Sequence, residues 1–211
     1  MRGKRNLHKG DEIIICKKRY RLIKRFGGVR GGGWQFRTWL VEDLDRRKRR
    51  REYVIKVTTK PRRMTSELKF YIYLDKNGFP SRYFPELIAY DNEAIAYRDD
   101  KRIGKFHAIL LKRYDGSFES FLHELNPDEK RRIMKKLEEG VEILHELGIV
   151  HGDLRESNVL LKRSKRGIGV LLTDFSNSKF LCNLSNSEKK KLIEKDWKRL
   201  DKMIERILNS S

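Results

Sequence analysis

The sequence predicts an α+β fold with two lobes: an antiparallel sheet with one helix, followed by a smaller, mainly helical part. Segments rich in β-branched and aromatic residues dominate the first half, and long segments with helical apolar spacing dominate the second half. Tyr114-Asp115-Gly116-Ser117 breaks the pattern between them. We therefore predict an N-terminal lobe at 1–114, in which 1–19 form an extension, and a C-terminal lobe at 115–211.

Five strands and one helix are predicted in the N-terminal lobe. The strands are predicted at 20–26, 34–41, 53–58, 94–97 and 106–111. Glycine-rich residues 27–33 and the basic turn 46–51 separate the first three strands, as expected for an antiparallel meander. Apolar residues at helical spacing predict a helix at 65–76, which Asn77-Gly78 ends.

Two helices and a hairpin are predicted in the C-terminal lobe. Asn126-Pro127-Asp128-Glu129 combines a capping side chain, a proline at the first helical position and a glutamate that reaches back to the cap. A helix therefore begins here, and Gly148 ends it. A hairpin joins strands at 159–161 and 170–173. The last helix, at 187–208, has these apolar residues at helical spacing: Leu192, Ile193, Trp197, Leu200, Ile204 and Leu208.

The composition indicates a folded protein without a membrane segment. Hydrophobic residues make up 38% of the 211 residues, which is enough for a packed core in one functional unit. No apolar run approaches about 20 residues, and residues 1–10 lack the apolar region of a secretory signal. We therefore expect a cytoplasmic protein. Cys16 and Cys182 are too few and too far apart for a disulfide framework or a zinc site.

The charge is strongly positive, with 50 Lys+Arg against 30 Asp+Glu and a formal net charge of +20. Such a charge favours polyanions, including nucleotides, RNA, DNA and acidic proteins. Heat adaptation explains the charge equally well, because Gln35 is the only glutamine and charged networks gain relative value at high temperature. The sequence leaves both interpretations open: an RNA or acidic-protein partner, and a thermophilic origin.

Polar residues that suit phosphoryl transfer are concentrated in two segments, His151-Gly152-Asp153-Leu154-Arg155-Glu156-Ser157-Asn158 and Thr173-Asp174-Phe175-Ser176. A hydroxyl nucleophile needs a carboxylate that orients it and accepts its proton, which suits Asp153. Magnesium needs hard oxygen ligands, which suits Asn158 and Asp174. If these residues only capped turns or lay exposed in loops, their joint occurrence beside a capped helix and a hairpin would be unexplained.

The two segments resemble the catalytic loop and the metal-binding motif of protein-kinase-like enzymes. The resemblance implies an ATP-binding N-terminal lobe, a minimal catalytic C-terminal lobe, and ATP with Mg²⁺, or Mn²⁺ in its place, as cofactors. It also implies that Lys56, inside the apolar strand 54–57, binds the α- and β-phosphates and that Glu67 pairs with it. The alternative for Lys56 is a lysine that extends into solvent from an edge strand, and the alternative for Glu67 is a solvated acid on a helix surface.

Three further sites take their interpretation from the resemblance. The glycine stretch departs from Gly-x-Gly-x-x-Gly, yet its backbone amides suit phosphate binding; a flexible hairpin is the alternative. Its members are Gly27, Gly28, Gly31, Gly32 and Gly33. Arg155 stands where many family members carry a lysine near the transferred phosphate, and a surface arginine is equally consistent. Asp196 is either the buried aspartate that hydrogen-bonds the catalytic loop in this superfamily or a surface acid.

The sequence departs from ordinary kinases in three respects. Gly152 replaces the usual arginine, Ser176 replaces the usual glycine, and no Ala-Pro-Glu follows Asp174. The His-Gly-Asp loop and the short C-terminal lobe resemble the RIO kinases and the small kinase of the KEOPS tRNA-modification complex. Residues 67–85 are instead similar to casein-kinase-like enzymes.

The sequence thus favours an atypical ATP- and Mg-dependent serine/threonine protein kinase that phosphorylates a protein hydroxyl and also itself. Two alternatives stay open. One is an ATPase switch or small-molecule kinase in RNA or ribonucleoprotein processing, suggested by the short C-terminal lobe. The other is a basic nucleic-acid-binding module on a kinase scaffold, suggested by the charge.

Overall fold

A computed structural model of the chain describes residues 6–26, 37–45, 51–78, 82–165 and 167–209. The strands are β1 Glu12–Ile15, β2 Lys18–Phe26, β3 Arg37–Asp43, β4 Glu52–Thr58, β5 Leu87–Arg98, β6 Lys101–Lys112, β7 Gly116–Ser117, β8 Ile149–Val150, β9 Val159–Ser164, β10 Gly167–Leu172 and β11 Lys179–Phe180. The α-helices are α1 Pro61–Lys76, α2 Phe118–Phe121, α3 Pro127–Glu146 and α4 Asn186–Asn209, with short 3₁₀ turns at Leu122–Glu124, Glu156–Asn158 and Phe175–Asn177. This mixture confirms the predicted α+β class.

The chain divides into two compact units. The first comprises Met1–Leu68 and Glu86–Arg113, and the second comprises Lys69–Pro85 and Tyr114–Ser211. Helix α1 therefore begins in the first unit and ends in the second. The predicted lobe boundaries at 1–114 and 115–211, and their two-lobed arrangement, stay predictions.

A closed antiparallel barrel forms the sheet of the first unit, with the strand order β1-β2-β3-β4-β6-β5. Strand β1 closes it, because Ile14 pairs with Arg19 of β2 on one side and with Ile95 of β5 on the other. Residues 1–19 were expected to be an extension, but 12–15 are a strand of the barrel. The physical reason is that the partner that closes the barrel, β5, is far away in sequence, and a four-residue strand carries little local signal.

Several elements are longer than the sequence predicts. Strands β5 and β6 extend well beyond the predicted 94–97 and 106–111. Their full length was not predicted, because register shifts in their pairing interrupt the alternation of apolar and polar residues. Helix α1 begins at Pro61 rather than at residue 65. Proline is favoured in the first turn of a helix, so Pro61 is a start signal that the apolar pattern alone does not reveal.

Alternating side chains fill the barrel. On β4, Ile55 and Val57 point into the core, whereas Lys56 between them lies on the other face of the strand. The remaining core residues are Leu7, Ile13, Ile15, Tyr20, Leu22, Trp39, Val41, Ala94, Ala96, Phe106, Ala108 and Leu110. Each large apolar side chain buried in this way contributes about 1.5–3 kcal/mol to stability. The strand that carries Lys56 is therefore held rigidly.

Helix α3 begins as predicted, with a complete capping box. The Asn126 side chain accepts a hydrogen bond from Glu129 N at 2.9 Å, and the Glu129 carboxylate accepts one from Asn126 N at 3.0 Å. The buried face of the helix consists of Ile133, Leu137, Gly140, Val141 and Leu144. Gly148 follows the helix with a φ of +69°, a left-handed conformation that favours glycine.

An aromatic cluster in the second unit packs directly beside the predicted metal-binding segment. The rings of Phe70 and Phe175 stack with centroids 3.5 Å apart, and Tyr71 and Phe84 contact Phe175 edge-on. Phe175 is completely buried and follows Asp174 in the chain. The cluster therefore fixes the backbone next to Asp174, two residues after the end of strand β10.

Helix α4 buries Asp196, Leu200, Met203 and Ile207. Leu208 was predicted to lie on the apolar face, but it is 61% exposed. Successive residues of a helix are rotated by about 100°. Leu208, the residue after buried Ile207, is therefore turned away from the buried face and towards solvent. No helix within the described ranges combines the length and the apolar character needed to cross a membrane.

Candidate active site

Asp153 and Asn158 lie together in the loop that follows β8. The Asn158 side-chain amide donates a hydrogen bond to the backbone oxygen of Asp153 at 2.8 Å and contacts its carboxylate Oδ2 at 3.3 Å. The amide is buried, whereas Asp153 is partly exposed. The loop therefore presents a carboxylate whose position is fixed by the neighbouring amide.

The β9–β10 hairpin brings Thr173 and Asp174 back to this loop. The backbone N–H of Thr173 donates to the carbonyl of Asn158 at 2.9 Å. Asp174, the next residue, has φ +66° and ψ +66°, a left-handed conformation that aspartate tolerates better than most residues. The structure thus brings the segment that carries Asp174 next to Asn158, as the predicted arrangement requires.

His151 connects the two segments. Its Nε2 lies 2.9 Å from the carbonyl oxygen of Thr173, which only accepts hydrogen bonds, so Nε2 carries the proton. Its Nδ1 then accepts the backbone N–H of Asp153 at 3.3 Å. Burial lowers the pKa of His151, although Asp196 and the Thr173 carbonyl act in the opposite direction. A neutral imidazole therefore links the loop to the end of the hairpin.

Asp196 is buried and holds the start of the loop. Its carboxylate accepts the backbone N–H groups of His151 at 2.6 Å and Gly152 at 3.0 Å, and His145 Nε2 lies 3.3 Å away. Burial raises the pKa of this carboxyl, but the hydrogen bonds from His145 and from the two backbone N–H groups outweigh burial and lower it overall. Of the two interpretations, the structure therefore favours the buried aspartate over a surface acid.

Position 152 accepts only glycine without rearrangement. Gly152 has a φ of +77°, and a Cβ at this position would lie 2.4 Å from the backbone oxygen of Asn177. The usual arginine is therefore excluded sterically at this position. Arg199 of α4 donates a hydrogen bond to the Gly152 carbonyl, so the loop is held from the helix side as well.

Two arginines that contact the loop were missed by the sequence analysis. Arg199 binds Gly152, and Arg206 forms an ion pair with Glu156 at 3.1 Å. Arg199 and Arg206 lie three and ten residues after Asp196, close to one face of α4. Their spacing from Asp196 was the available signal. By sequence alone, however, an arginine of an amphipathic helix that binds a neighbouring loop cannot be distinguished from one that is only exposed to solvent.

Arg155 is exposed and close to the catalytic candidate. One guanidinium nitrogen lies 3.3 Å from Asp153 Oδ2, and more than half of the arginine side chain is accessible to solvent. A guanidinium in this position offers positive charge beside the Asp153 carboxylate while remaining accessible to a ligand. Both interpretations of Arg155 therefore remain compatible with the geometry.

Lys56 and Glu67 form an ion pair in the first unit. Lys56 Nζ lies 2.6 Å from Glu67 Oε1, and their side chains are 9% and 0% exposed. Lys56 projects from β4 and Glu67 from the second turn of α1. The structure thus contains the predicted pairing, which excludes both a lysine reaching into solvent and a solvated helix acid. The predicted phosphate-binding glycines, Gly27, Gly28, Gly31, Gly32 and Gly33, lie outside the described residues.

The donor atoms near the loop fit magnesium bound together with a nucleotide. Within the described ranges no group of three His, Cys, Asp or Glu side chains forms a metal cage. Magnesium at nucleotide sites commonly uses one or two protein oxygens and the phosphates. Because Asn158 donates through Nδ2, its Oδ1 is the atom that a cation would use, and the Asp174 carboxylate supplies the second oxygen. These residues could therefore hold Mg²⁺ or Mn²⁺ jointly with ATP.

Comparison with solved structures identifies the fold. The structure of the Cydia pomonella granulovirus kinase PK-1 superposes with a TM-score of 0.64 at 18% sequence identity, covering 91% of this chain and 69% of the viral chain. The fold is protein-kinase-like. Residues 100–197 of the chain also match the family model of the protein kinase domain.

A curated relative extends this similarity to sequence. The probable serine/threonine-protein kinase fhkB of Dictyostelium discoideum is 32% identical over 122 residues, which cover 53% of this chain and 11% of the relative. The chain thus matches only a small part of that protein's length. Together the comparisons show that the chain is similar to protein kinase domains in fold and, over part of its length, in sequence. The finer resemblance to RIO kinases and the KEOPS kinase stays a prediction.

Proposed function

We propose that the protein is an atypical serine/threonine protein kinase that transfers the γ-phosphate of Mg·ATP to a hydroxyl group. The observation that carries the proposal is the bonding of Asn158 to Asp153, with the peptide before Asp174 bonded to Asn158. These are the residue types that phosphoryl transfer uses to orient a hydroxyl and to hold a divalent ion.

Asp153 is the catalytic carboxylate in this proposal. Its backbone is fixed by His151 Nδ1 and by the Asn158 amide, while its carboxylate remains partly exposed. It orients the acceptor hydroxyl and accepts its proton as the new P–O bond forms and the bond to ADP breaks. Arg155, beside the Asp153 carboxylate, supplies positive charge towards the phosphoryl oxygens.

The nucleotide and its metal have separate sets of residues. Asn158 and Asp174 hold Mg²⁺, which neutralises phosphate charge when bound. Lys56 binds the α- and β-phosphates, and Glu67 keeps the ammonium group in place by the buried ion pair. The glycines at 27–33 offer backbone amides for the phosphates. The site assignments rest on this chemistry and on the resemblance to kinases.

The remaining functional predictions belong to the same proposal. The substrate is a protein with a serine or threonine hydroxyl, including the chain itself, and the protein acts in the cytoplasm. An RNA or acidic-protein partner and a thermophilic origin are the alternative explanations that the sequence leaves open for the +20 charge.

Transfer of labelled γ-phosphate from ATP to protein tests the proposal. We expect incorporation by the full chain, and a loss of about 100-fold or more in Asp153→Asn, which keeps the size of the side chain. Asp201→Asn, an exposed acid of α4, is the matched control and retains activity. A circular dichroism melt of each variant shows that it is folded. Equal incorporation by the Asp153 variant contradicts the proposal.

A second candidate is an ATPase switch or a small-molecule kinase. Only five residues separate β11 from α4, so a long peptide-binding activation segment is absent from this connection. Phosphate release from ATP, measured in the same reactions, separates the two functions. Hydrolysis that depends on Asp153 and leaves no phosphoprotein favours the second candidate.

A further inference from the structure

The positive charge is distributed very unevenly along the chain. Residues 1–68 contain 22 Lys+Arg and 7 Asp+Glu, whereas residues 114–211 contain 19 and 17. The proposed catalytic loop thus lies in the nearly neutral part. Heat adaptation relies on networks of opposite charges, and the first 68 residues have a large excess of one sign instead. The excess therefore calls for another explanation.

The barrel brings the turn between β1 and β2 to the same end as Arg51, the residue before β4. The backbone N–H of Leu44 donates to the Arg19 carbonyl at 3.0 Å, and the N–H of Asp43 donates to the Arg51 carbonyl at 3.0 Å. Strand β3 is thus flanked by the start of β2 on one side and the start of β4 on the other. Arg51 lies two strands from β2 and opposite Tyr20, two residues along from Lys18. With a strand spacing of about 4.8 Å and a rise of about 3.3 Å per residue, the backbones of Lys18 and Arg51 are roughly 12 Å apart.

Three cationic side chains at this end are available to a ligand. Lys17, Lys18 and Arg51 are exposed, and their side chains form no hydrogen bond or ion pair with any described residue. We call these three residues the barrel-end surface. Residues 46–50, which are all Lys or Arg, connect Asp45 to Arg51; they lie outside the described residues and are not part of this definition.

The nearby carboxylates are engaged with the backbone. Asp45 Oδ2 accepts the N–H of Arg19 at 3.1 Å, and Asp91 Oδ2 accepts the N–H of Cys16 at 3.0 Å. Asp43 Oδ1 accepts the N–H of Asp45 at 3.0 Å. These acids hold turns rather than pairing with the three cations, which remain able to bind an external anion.

The turn itself does not favour lysine. Cys16 and Lys17 have φ values of +48° and +69°, the pattern of a two-residue hairpin turn that normally takes asparagine and glycine. A lysine in this conformation is strained compared with glycine. Turn geometry therefore does not explain Lys17, whereas a requirement for positive charge at the tip of the hairpin does.

We propose that the barrel-end surface binds the phosphodiester backbone of a nucleic acid. Lysine and arginine side chains make charge contacts to phosphates that position a nucleic acid without reading its sequence. Protein partners usually bury an apolar centre, and the three side chains offer only charged groups at their tips. The proposal is independent of phosphoryl transfer, because the binding requires neither ATP nor the catalytic loop.

Salt-dependent binding of a fluorescent oligouridylate to the full chain, without ATP, tests the proposal. Three phosphate contacts contribute about 2 to the slope of log K against log salt for a single strand. We expect Lys17→Gln/Lys18→Gln/Arg51→Gln to lose that contribution and to bind at least about tenfold more weakly. The matched control is Lys191→Gln/Lys195→Gln/Lys198→Gln, which removes the same charge from exposed lysines of α4 and keeps the wild-type slope.

Three outcomes overturn the proposal. The first is the absence of salt-dependent oligouridylate and duplex DNA binding by the wild type. The second is an equal loss of slope in both triple variants, which indicates a general charge effect. The third is binding of polyglutamate but of neither nucleic acid, which indicates an acidic-protein partner. Comparison of the affinities for oligouridylate and for duplex DNA shows whether the ligand is a single strand or a duplex.

Discussion

Asp196 holds the backbone of His151 from the middle of helix α4, with its Oδ2 atom 2.6 Å from the His151 N–H. The other carboxylate oxygen accepts the N–H of Gly152 at 3.0 Å. The loop that carries Asp153 is therefore anchored two residues earlier by a buried acid. This anchor makes the geometry of the proposed catalytic loop depend on α4.

Asp196→Asn tests the anchor. Asparagine has one acceptor oxygen where the carboxylate has two, so at least one backbone N–H loses a charge-assisted hydrogen bond. Such bonds contribute about 1.5–3 kcal/mol each, and we expect a loss of that size in the free energy of unfolding. Urea denaturation measures it. Asp201→Asn, on the exposed face of the same helix, should change stability by less than about 0.5 kcal/mol, and equal effects in the two variants contradict the anchor.

Gly152→Ala should be far more disruptive than Gly148→Ala. Both glycines have positive φ, of +77° and +69°, so both variants carry the cost of a left-handed alanine, about 1–2 kcal/mol. Only Gly152 also places the new methyl group 2.4 Å from the oxygen of Asn177. We expect Gly152→Ala to lower the free energy of unfolding by more than about 3 kcal/mol. Thermal unfolding of the pair measures the difference, and similar melting temperatures would refute this reasoning.

Removal of one member of the buried Lys56–Glu67 pair should cost more than removal of both. Glu67→Ala leaves an ammonium group in a site where only 9% of the side chain is exposed. Loss of one partner of a buried pair typically costs about 3–5 kcal/mol. The double variant Lys56→Met/Glu67→Leu should recover most of this, because it removes both charges of the pair. Urea denaturation of the single and double variants measures the coupling, and additive losses are the contrary result.

Acidification should weaken the fold through His151. Burial lowers its pKa in the folded state, so below the ordinary histidine pKa of about 6.5 the unfolded chain binds a proton that the folded chain does not. The contribution of neutral His151 to the free energy of unfolding is therefore fully present above about pH 6.5. It falls as the pH drops below this value, by at most about 1.4 kcal/mol per pH unit. Asp196, whose pKa is lowered, adds a further loss below about pH 4.

Melting temperatures between about pH 7.5 and 5 check this prediction. The variant His151→Asn should show a lower melting temperature overall but a flatter dependence on pH in this window. His8→Asn, at an exposed position, is the control and should keep the wild-type dependence. A wild-type curve that is flat from pH 7.5 to 5 rules out the linkage.

Local signals explain which parts of the fold the sequence reveals. The Asn126 capping box and the apolar spacing of α3 are contained in a few neighbouring residues, and both occur as predicted. The pairing of Lys56 with Glu67 was predicted from the resemblance to protein-kinase-like enzymes, and the ion pair is present. Short-range pattern was sufficient for α3, whereas the ion pair required the resemblance.

Long-range contacts account for what the sequence did not reveal. Strand β1 closes the barrel through its pairing with residues 95–97 of β5, and no local pattern in four residues specifies that partner. Arg199 was missed for a related reason, since its hydrogen bond to Gly152 depends on how α4 packs against the loop. Asp196 was recognised only as an alternative, because an acid on an apolar face becomes informative once burial is known.

The closure of the barrel by β1 has a consequence for shortened forms of the protein. Removal of residues up to 15 would leave β2 and β5 with unsatisfied backbone donors and acceptors along two open margins. Such margins recruit strands from other molecules. Strand β1 thus protects the chain against self-association, and a form without it should aggregate through intermolecular β-sheet.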